Sequence, residues 1–160
     1  MLKRFIYYYK PHKKMLALDM LASLLISVIG MVYPIVTNKM LNIYIPEKMY
    51  TTIVAAGLIV LALYIIRMAL RYFVQYYGHV IGVKMQSQMR QDLFAHLEKQ
   101  PFRFYDNHET GRIMTRITSD LFEVSELAHH GPENLLISSV MIILSFVYLV
   151  MIDPILTLII

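Results

Sequence analysis

The residue types best suited to metal binding are concentrated in one short stretch of the chain. Two glutamates and two histidines fall within two helical turns, at Glu126, His129, His130 and Glu133. A Glu and a His three residues apart on one helix can hold metal ions in helical bundles, provided that other helices supply matching ligands. The sequence offers no second cluster of this kind. We therefore predict no metal, and interpret the four residues as polar groups at the cytoplasmic end of the third apolar span, beside the kink expected at Gly131 and Pro132.

Nucleotide and thiol chemistry lack their usual motifs in this sequence. A phosphate-binding loop needs the pattern G-x-x-x-x-G-K-[ST], whose backbone amides and Lys hold the phosphates, and the 160 residues do not contain it. The chain has no cysteine, which excludes disulfides and a thiol nucleophile. We predict no catalytic residue, no cofactor-binding residue and no enzymatic activity for this chain by itself.

Two arginines and a glutamine form a row at helical spacing inside an apolar stretch, at Arg67, Arg71 and Gln75. Charged residues within a membrane often line a functional pathway. Counted along a helix from Thr51, however, Arg67 lies about 24 Å and Arg71 about 30 Å away, near the edge of a bilayer core of roughly 30 Å. Two interpretations stay open: side chains that extend to the membrane surface, or a cavity wall that meets an anionic or amphipathic substrate.

The composition predicts that these residues belong to a membrane protein. Hydrophobic residues make up 58% of the chain and charged residues 16%, and the mean hydropathy is +0.54. Apolar spans occur at about 15–43, from 51 into the low seventies, at 135–152 and at 155–160. Since about 20 helical residues cross a bilayer core, the first three spans suffice and the last is only a beginning. We expect an all-α membrane protein and a fragment of a longer chain.

Basic residues flank these spans unevenly. Five precede the first span, and six lie between the second and third spans, at Lys84, Arg90, Lys99, Arg103, Arg112 and Arg116. The turn at 44–50 has only Lys48, and the turn at 153–154 has none. Because Lys and Arg accumulate on the cytoplasmic side of membrane proteins, the N-terminus and the long segment after the second span are predicted to be cytoplasmic.

The first thirteen residues, MLKRFIYYYKPHK, combine basic side chains with Phe5, Ile6 and three tyrosines. This composition is typical of a short helix that lies among lipid headgroups. A simple basic flank that sets the membrane orientation explains it equally well. Under both interpretations the partner of residues 1–13 is the lipid bilayer, and we predict no binding of nucleic acid.

The second span is predicted to continue far beyond the membrane. No proline occurs between the turn near Tyr50 and Pro101, so one helix of about 50 residues, roughly 75 Å, is possible. Its polar half keeps an apolar row, at Met85, Met89, Leu93 and Leu97. The returning segment has a matching row, at Ile113, Ile117, Leu121, Val124 and Ala128. Two such rows favour a rigid antiparallel stalk, although Gly78 and Gly82 weaken the helix and allow a bend.

Helix start and stop signals cluster at the far end of this stalk. Pro101 is predicted to end the descending helix, Asp106 and Asn107 are good N-cap residues, and Gly111 is expected to break the chain before the ascending helix. The residues NHETG between them suffice for about one helical turn. We therefore predict a short helix at about 106–111, which lies across the stalk and docks a partner or transmits force.

The same stretch carries a family resemblance. It contains Phe104, Tyr105 and Asp106, then Gly111, Ile113, Arg116, Ile117 and Asp120. This pattern resembles the first intracellular loop of ATP-binding cassette (ABC) exporters, and the order of elements in the whole chain is similar to that of their transmembrane domain. The resemblance implies an elbow helix at 1–13 and an incomplete helical bundle at 14–160. Its second and third helices, at 51–100 and 112–152, include cytoplasmic extensions.

The resemblance also implies a function. In this family two nucleotide-binding domains bind ATP and Mg²⁺, close and reopen, and coupling helices convert that motion into alternating access. The chain would be the permease part of an exporter in the cell (inner) membrane, paired with an identical or different second half. A coupling surface for the nucleotide-binding domain would comprise Tyr105, Asp106, Asn107, His108, Glu109, Thr110, Gly111 and Arg112. Arg116 and Asp120 would brace the stalk by an i, i+4 ion pair.

The chain also departs from the family pattern. It lacks the LSGGQ-like signature, the second coupling helix and three of the family's six spans. ATP would therefore have to bind in a domain encoded downstream or on a separate chain. A non-transport membrane sensor or assembly module, whose cytoplasmic stalk recruits a soluble partner, is the alternative function.

Overall fold

The computed structural model of the chain describes residues 2–106 and 108–158. Within these residues every regular element is helical and there is no strand, as expected for an all-α membrane protein. The predicted site residue Asn107 lies outside the described residues. So do Met1 of the predicted elbow and residues 159–160 of the predicted fourth span.

Seven α-helices follow one another along the described chain. They are α1 (Leu2–Tyr7), α2 (Lys13–Lys39), α3 (Tyr50–Leu97), α4 (Phe102–Asp106), α5 (Thr110–Thr115), α6 (Leu121–Ile152) and α7 (Pro154–Thr157). A 3₁₀ turn at Lys10–His12 precedes α2. Two π-helical turns, at Met40–Tyr44 and Arg116–Asp120, extend α2 and connect α5 to α6.

Three helical stretches are long and apolar enough to cross a membrane. They are Phe5–Tyr44, Tyr50–Leu97 and Thr110–Ile152. Each contains one of the three complete spans predicted from the sequence. Since a bilayer core needs about 20 helical residues, each stretch also has residues to spare for an extension outside the lipid.

Helix α3 is continuous over 48 residues, or about 72 Å. The bend that Gly78 and Gly82 were expected to allow does not interrupt it. A Cβ atom at Gly78 would overlap the imidazole ring of His129 on α6, and one at Gly82 would lie 3.2 Å from Ser125 Oγ. The two glycines therefore let α6 pack closely against α3, which offsets their cost of about 1 kcal/mol each relative to Ala.

The chain divides into two compact units, and each is described by itself. The first unit comprises Met1–Asp19 and Gln75–Pro132, and the second comprises Met20–Val74 and Glu133–Ile160. The first unit thus contains the predicted elbow, the polar half of α3 and the whole segment that returns from α3 into α6.

The core of the first unit corresponds closely to the two predicted apolar rows. Its buried cluster consists of Ile81, Met85, Met89, Leu121 and Ala128. Ile117 is buried as well, but Leu93 is 41% exposed and Val124 is 36% exposed. Residues spaced by four advance about 40° per step around a helix, which turns Leu93 away from Met85. On α6 the buried face passes through Leu121, Ser125 and Ala128, so Val124 lies beside this face rather than on it.

The aromatic residues of the N-terminal segment pack onto this core. Tyr8 donates a hydrogen bond to Asp92 Oδ2 at 2.7 Å, and Tyr9 donates one to the backbone oxygen of Ala128 at 2.6 Å. The ring of Phe5 meets that of Tyr9 edge-on at 5.6 Å. The segment was predicted to contact lipid or to act as a basic flank. In the structure it contacts both α3 and α6 through these two hydrogen bonds.

The second unit has a smaller core, formed by Ala22, Ile26 and Val74 together with Leu70 and Phe73. Polar contacts supplement it. Asn38 donates to Tyr148 Oη at 3.0 Å, and the Ser145 hydroxyl lies 3.6 Å from the sulfur of Met31. These contacts join α2 to the C-terminal half of α6. Pro34 lies inside α2, as membrane-spanning helices tolerate.

Candidate functional site

The predicted coupling segment follows the end of α3. Its short helix is α4, at Phe102–Asp106, so the helix predicted at about 106–111 is wrong in position. The reason lies at Pro101, whose backbone oxygen accepts a hydrogen bond from the Phe104 amide at 2.8 Å. The fixed φ of proline suits the start of a helix, and Pro101 directly precedes α4 as well as following the end of α3.

The break before the ascending helix also differs from the prediction. Gly111 lies within the first turn of α5, and no described glycine has a positive φ. Asp106 is the last residue of α4 rather than an N-cap. The N-cap of α5 is Glu109, whose backbone is extended (φ −62°, ψ 116°) and whose backbone oxygen accepts from the amides of Arg112 and Ile113 at 3.0 and 3.2 Å.

Aromatic side chains hold this turn against the end of α3. The hydroxyl of Tyr105 donates to the backbone oxygen of Leu97 at 2.6 Å. The same oxygen accepts from the amide of Gln100 at 2.8 Å, so one of the last carbonyl groups of α3 has two donors. The ring of His108 stacks on that of Phe104 at 4.3 Å, and its Nδ1 lies 2.8 Å from the Phe104 oxygen. Phe104, which we had not included among the site residues, therefore belongs to the turn's support.

The remaining predicted coupling residues face outward. Asp106, His108, Glu109, Thr110 and Arg112 are all exposed. No other part of the described chain comes within 4 Å of the position that a Cβ atom at Gly111 would occupy. An open hollow beside the turn is lined by His108, Glu109, Arg112, Ile113 and Arg116. The turn thus combines a fixed backbone with a polar surface of mixed charge.

The predicted brace between Arg116 and Asp120 is absent from the structure. Both residues lie in the π-helical turn and both are exposed, and among the described residues no ion pair joins them. A π-helix bonds residue i to i+5, so side chains four apart no longer lie one above the other. Hydroxyl groups stabilise the local backbone instead: Thr115 donates to the Gly111 oxygen at 3.0 Å, and Thr118 to the Met114 oxygen at 2.8 Å.

The three predicted pathway residues have different surroundings. Arg67 packs inside the second unit, with its guanidinium 5.4 Å from the centre of the Tyr64 ring and 3.0 Å from the position that a Cβ atom at Gly30 would occupy. Such a cation–π contact is worth about 0.5–2 kcal/mol. Arg71 is exposed. Gln75 contacts His79, with 2.8 Å between its amide nitrogen and the ring Nε2.

A histidine from α3 joins the cluster that the sequence placed on a single helix. His79 Nδ1 lies 3.8 Å from Glu126 Oε1, and His130 Nε2 lies 3.5 Å from Glu126 Oε2. The rings of His129 and His130 are 4.4 Å apart and tilted, and the ring of His79 is 5.1 Å from that of His129. Some fifty residues separate His79 from the others, and the sequence signal that could have located it is the neighbouring Gly78.

Comparison with known proteins identifies the family. Residues 16–160 match the model of the ABC transporter transmembrane region. The chain belongs to this family. As an ABC transporter transmembrane region it is an integral membrane protein and the membrane part of a transporter, in agreement with the resemblance noted in the sequence.

Several relatives of this transmembrane region are ABC proteins of bacteria. The chain is 37% identical over 146 residues, 91% of its length, to the uncharacterized ABC transporter ATP-binding protein YwjA of Bacillus subtilis. It is 30% identical over 124 residues, 78% of its length, to the ATP-dependent lipid A-core flippase of Idiomarina loihiensis. It is 23% identical over 165 aligned residues, 99% of its length, to a putative multidrug export ATP-binding/permease protein of Staphylococcus aureus.

These relatives are much longer than this transmembrane region. The aligned part makes up 25% of the Bacillus protein, 21% of the Idiomarina protein and 28% of the Staphylococcus protein. The chain therefore spans about a quarter of the length of the curated relatives it matches. The names of all three relatives refer to ATP, whereas the part that they share with this chain is the membrane region.

Proposed function

We propose that the chain forms part of the translocation pathway of an ATP-driven exporter, and that the turn between α3 and α5 docks a nucleotide-binding domain. ATP and Mg²⁺ would bind in that domain, outside the present chain, and a second transporter half would complete the pathway. The observation that carries the proposal is the turn at residues 105–112, whose described residues, 105–106 and 108–112, are held by contacts with Leu97 and Phe104 and otherwise mostly exposed.

The length of α3 supports the force-transmitting part of this proposal. A helix of about 72 Å exceeds a bilayer core of roughly 30 Å by about 40 Å. The distribution of Lys and Arg favours the cytoplasm for this excess. Because α3 contains no internal break and its polar half packs on α6 through Met85 and Leu121, a push on the turn would be carried along the helix pair rather than absorbed near the turn.

The side chains of the turn divide into two groups with different tasks. Tyr105 and His108 hold the backbone through their contacts with Leu97 and Phe104. Glu109 and Arg112 present opposite charges on the outer surface, which favours a polar, complementary partner surface. Gly111 has open space around it, so a partner's backbone can approach the turn closely there.

The proposed motion is alternating access. ATP binding would draw two nucleotide-binding domains together, and each would move the turn docked to it. Hydrolysis would release them and return the helices. An exporter needs this coupling because binding energy shifts a conformational equilibrium only through contacts that differ between the two states.

Site-specific photo-crosslinking in the complete protein tests the docking. A crosslinking amino acid at Thr110 should attach to the nucleotide-binding domain, and Gly111→Val should reduce that yield several-fold because its branched side chain occupies the space left for the partner. Gly57→Val is the matched control, since Gly57 also has open space around it but lies in the apolar half of α3. Equal yields in the two glycine variants, or no product from Thr110, would contradict the docking.

A further inference from the structure

We propose that His79, His129, His130 and Glu126 bind one divalent transition-metal ion, with Zn²⁺ as the expected ion. The sequence favoured no metal because only α6 supplied candidate ligands. The structure brings a ligand from a second helix, α3, to the same place, so we revise that expectation. The site goes beyond the transport function, which requires no metal at this position.

The spacing of the ligand atoms supports a single ion. One nitrogen from each of the three histidines can be chosen so that all three lie within 4.8 Å of one another. The carboxylate of Glu126 lies between two of them, 3.8 Å from His79 Nδ1 and 3.5 Å from His130 Nε2. Ligand atoms in a tetrahedral zinc site are about 3.3 Å apart, given bonds of about 2.0–2.1 Å. The two distances from Glu126 to the histidine nitrogens are therefore near this value. Two histidine nitrogens that lie 4.8 Å apart would have to approach each other by about 1.5 Å.

The chemistry of the donors decides the class of ion. Imidazole nitrogen is a ligand of Zn²⁺, Ni²⁺, Cu²⁺ and other borderline transition metals, whereas Mg²⁺ and Ca²⁺ prefer sites built from oxygen. Three imidazoles and one carboxylate also match the four ligands of a closed tetrahedral site. Such a donor set favours Zn²⁺ and disfavours the alkaline-earth ions.

The surroundings of the cluster fix one ligand and leave the others accessible. His129 is 5% exposed, and its ring occupies the space that a side chain at position 78 would fill. The side chains of His79, His130 and Glu126 are 45%, 38% and 37% exposed. An ion can therefore reach the cluster from the surface of the first unit, and the three exposed ligands can rotate to close around it.

Gln75 contacts the ring nitrogen of His79 that faces away from Glu126, and a metal-bound histidine requires a hydrogen-bond partner at that nitrogen. Its side-chain amide lies 2.8 Å from His79 Nε2, which leaves Nδ1 directed towards Glu126. A metal-bound histidine donates its other ring N–H to an acceptor. The oxygen of the Gln75 amide can serve as that acceptor, since the two ends of an amide are assigned from the hydrogen-bond network and exchange by a simple flip.

A bound ion would join α3 to α6 in addition to their apolar contacts. Within the first unit these helices already pack through Gly78, Gly82 and Ser125. A metal bridge would stiffen the pair that leads to the turn at residues 105–112. This consequence for coupling rests on the proposed function, whereas metal binding itself does not.

The test is a zinc titration of the complete protein, purified through a tag without histidine, treated with chelator and placed in nanodiscs. Competition with a chromophoric chelator gives the affinity and the number of ions bound, and Co²⁺ absorption in the visible range reports tetrahedral geometry. We expect one ion per copy of this chain, with an intense tetrahedral Co²⁺ spectrum.

Variants assign the ion to the cluster. Three variants remove one ligand each: His79→Gln, His130→Gln and Glu126→Gln. These residues are half-exposed, so folding is preserved. Each variant should weaken zinc binding by about 100-fold or more, since loss of a group that only hydrogen-bonds to a ligand already costs about 10–100-fold. Gln75→Leu should cost about 10-fold. His96→Gln is the matched control, because His96 is an exposed histidine of α3 outside the cluster, with its ring Nε2 3.1 Å from the side-chain amide of Gln100. The zinc affinity of this variant should equal that of the wild type.

Three results would overturn the site. They are the absence of bound zinc in the wild type, equal binding by His79→Gln and the wild type, and a loss in His96→Gln as large as that in His79→Gln. Any of them would leave the ring contacts between the histidines and their contacts with Glu126 as packing interactions between α3 and α6. The crosslink from Thr110 does not depend on zinc, so failure of the metal site and failure of the docking proposal can be told apart.

Discussion

The regions around Gly78 and Gly111 differ in what occupies the space beside the glycine. Around Gly78 the missing side chain is replaced by the His129 ring of a neighbouring helix, whereas around Gly111 no atom of the described chain fills the space. Both residues lie in helices with ordinary backbone angles. A glycine in a helix therefore does not by itself indicate a break. What distinguishes the two regions is whether the space is filled from within the chain.

This difference separates a packing region from a candidate docking region. The segment of α3 around Gly78 and Gly82 gains close contacts that offset the helix penalty of glycine. The turn around Gly111 has no such compensation within the described residues, which is the expected condition of a surface that is completed by another protein. Substitutions in the two regions should therefore affect different properties of the complete protein.

The largest effect is expected for Gly78→Ala. The added methyl group would overlap the His129 ring, and overpacking of this kind costs about 1–3 kcal/mol. Thermal unfolding of the complete protein in detergent should show a lower midpoint. Gly57→Ala, at a position with open space around it, is the control and should leave the midpoint unchanged or raise it, since Ala favours a helix by about 1 kcal/mol over Gly. Equal midpoints for the two variants would remove the distinction between packing and open glycines.

A smaller effect is expected for Tyr105→Phe. The variant loses the hydrogen bond from Tyr105 to the Leu97 oxygen, which is worth about 0.5–1.5 kcal/mol and acts only at the turn. Hydrogen exchange of the amides at residues 102–112 should accelerate, while the midpoint of thermal unfolding changes little. Tyr50→Phe, which changes a tyrosine that is 70% exposed, should alter neither. A global loss of stability in Tyr105→Phe would mean that the turn is part of the core rather than an attachment to it.

Much of the fold could be predicted from the sequence because the signals were local or periodic. The absence of proline between Tyr50 and Pro101 predicted one long helix, and α3 ends at Leu97. Spacing by four predicted the buried positions Met85, Met89 and Leu121. It failed for Leu93, where the row has turned away from the partner helix.

The candidate site was predicted less well, because its details depend on contacts between distant residues. A proline such as Pro101 can follow one helix or precede the next, and the sequence did not indicate that α4 starts directly after it. The π-helical turn that separates Arg116 from Asp120 leaves no clear mark in the sequence. His79 joins the histidines of α6 only through the packing of two helices, and no spacing rule connects residues fifty positions apart.

The distance from the turn to the lipid tests the central claim most directly. A fluorophore attached to a cysteine at His108, in the complete protein with any other cysteines removed, can be measured against acceptors on lipid headgroups in nanodiscs. The part of α3 in excess of the bilayer core predicts a separation of roughly 40 Å. A turn that lies at the headgroups would contradict the account, since a nucleotide-binding domain could not then dock there as proposed.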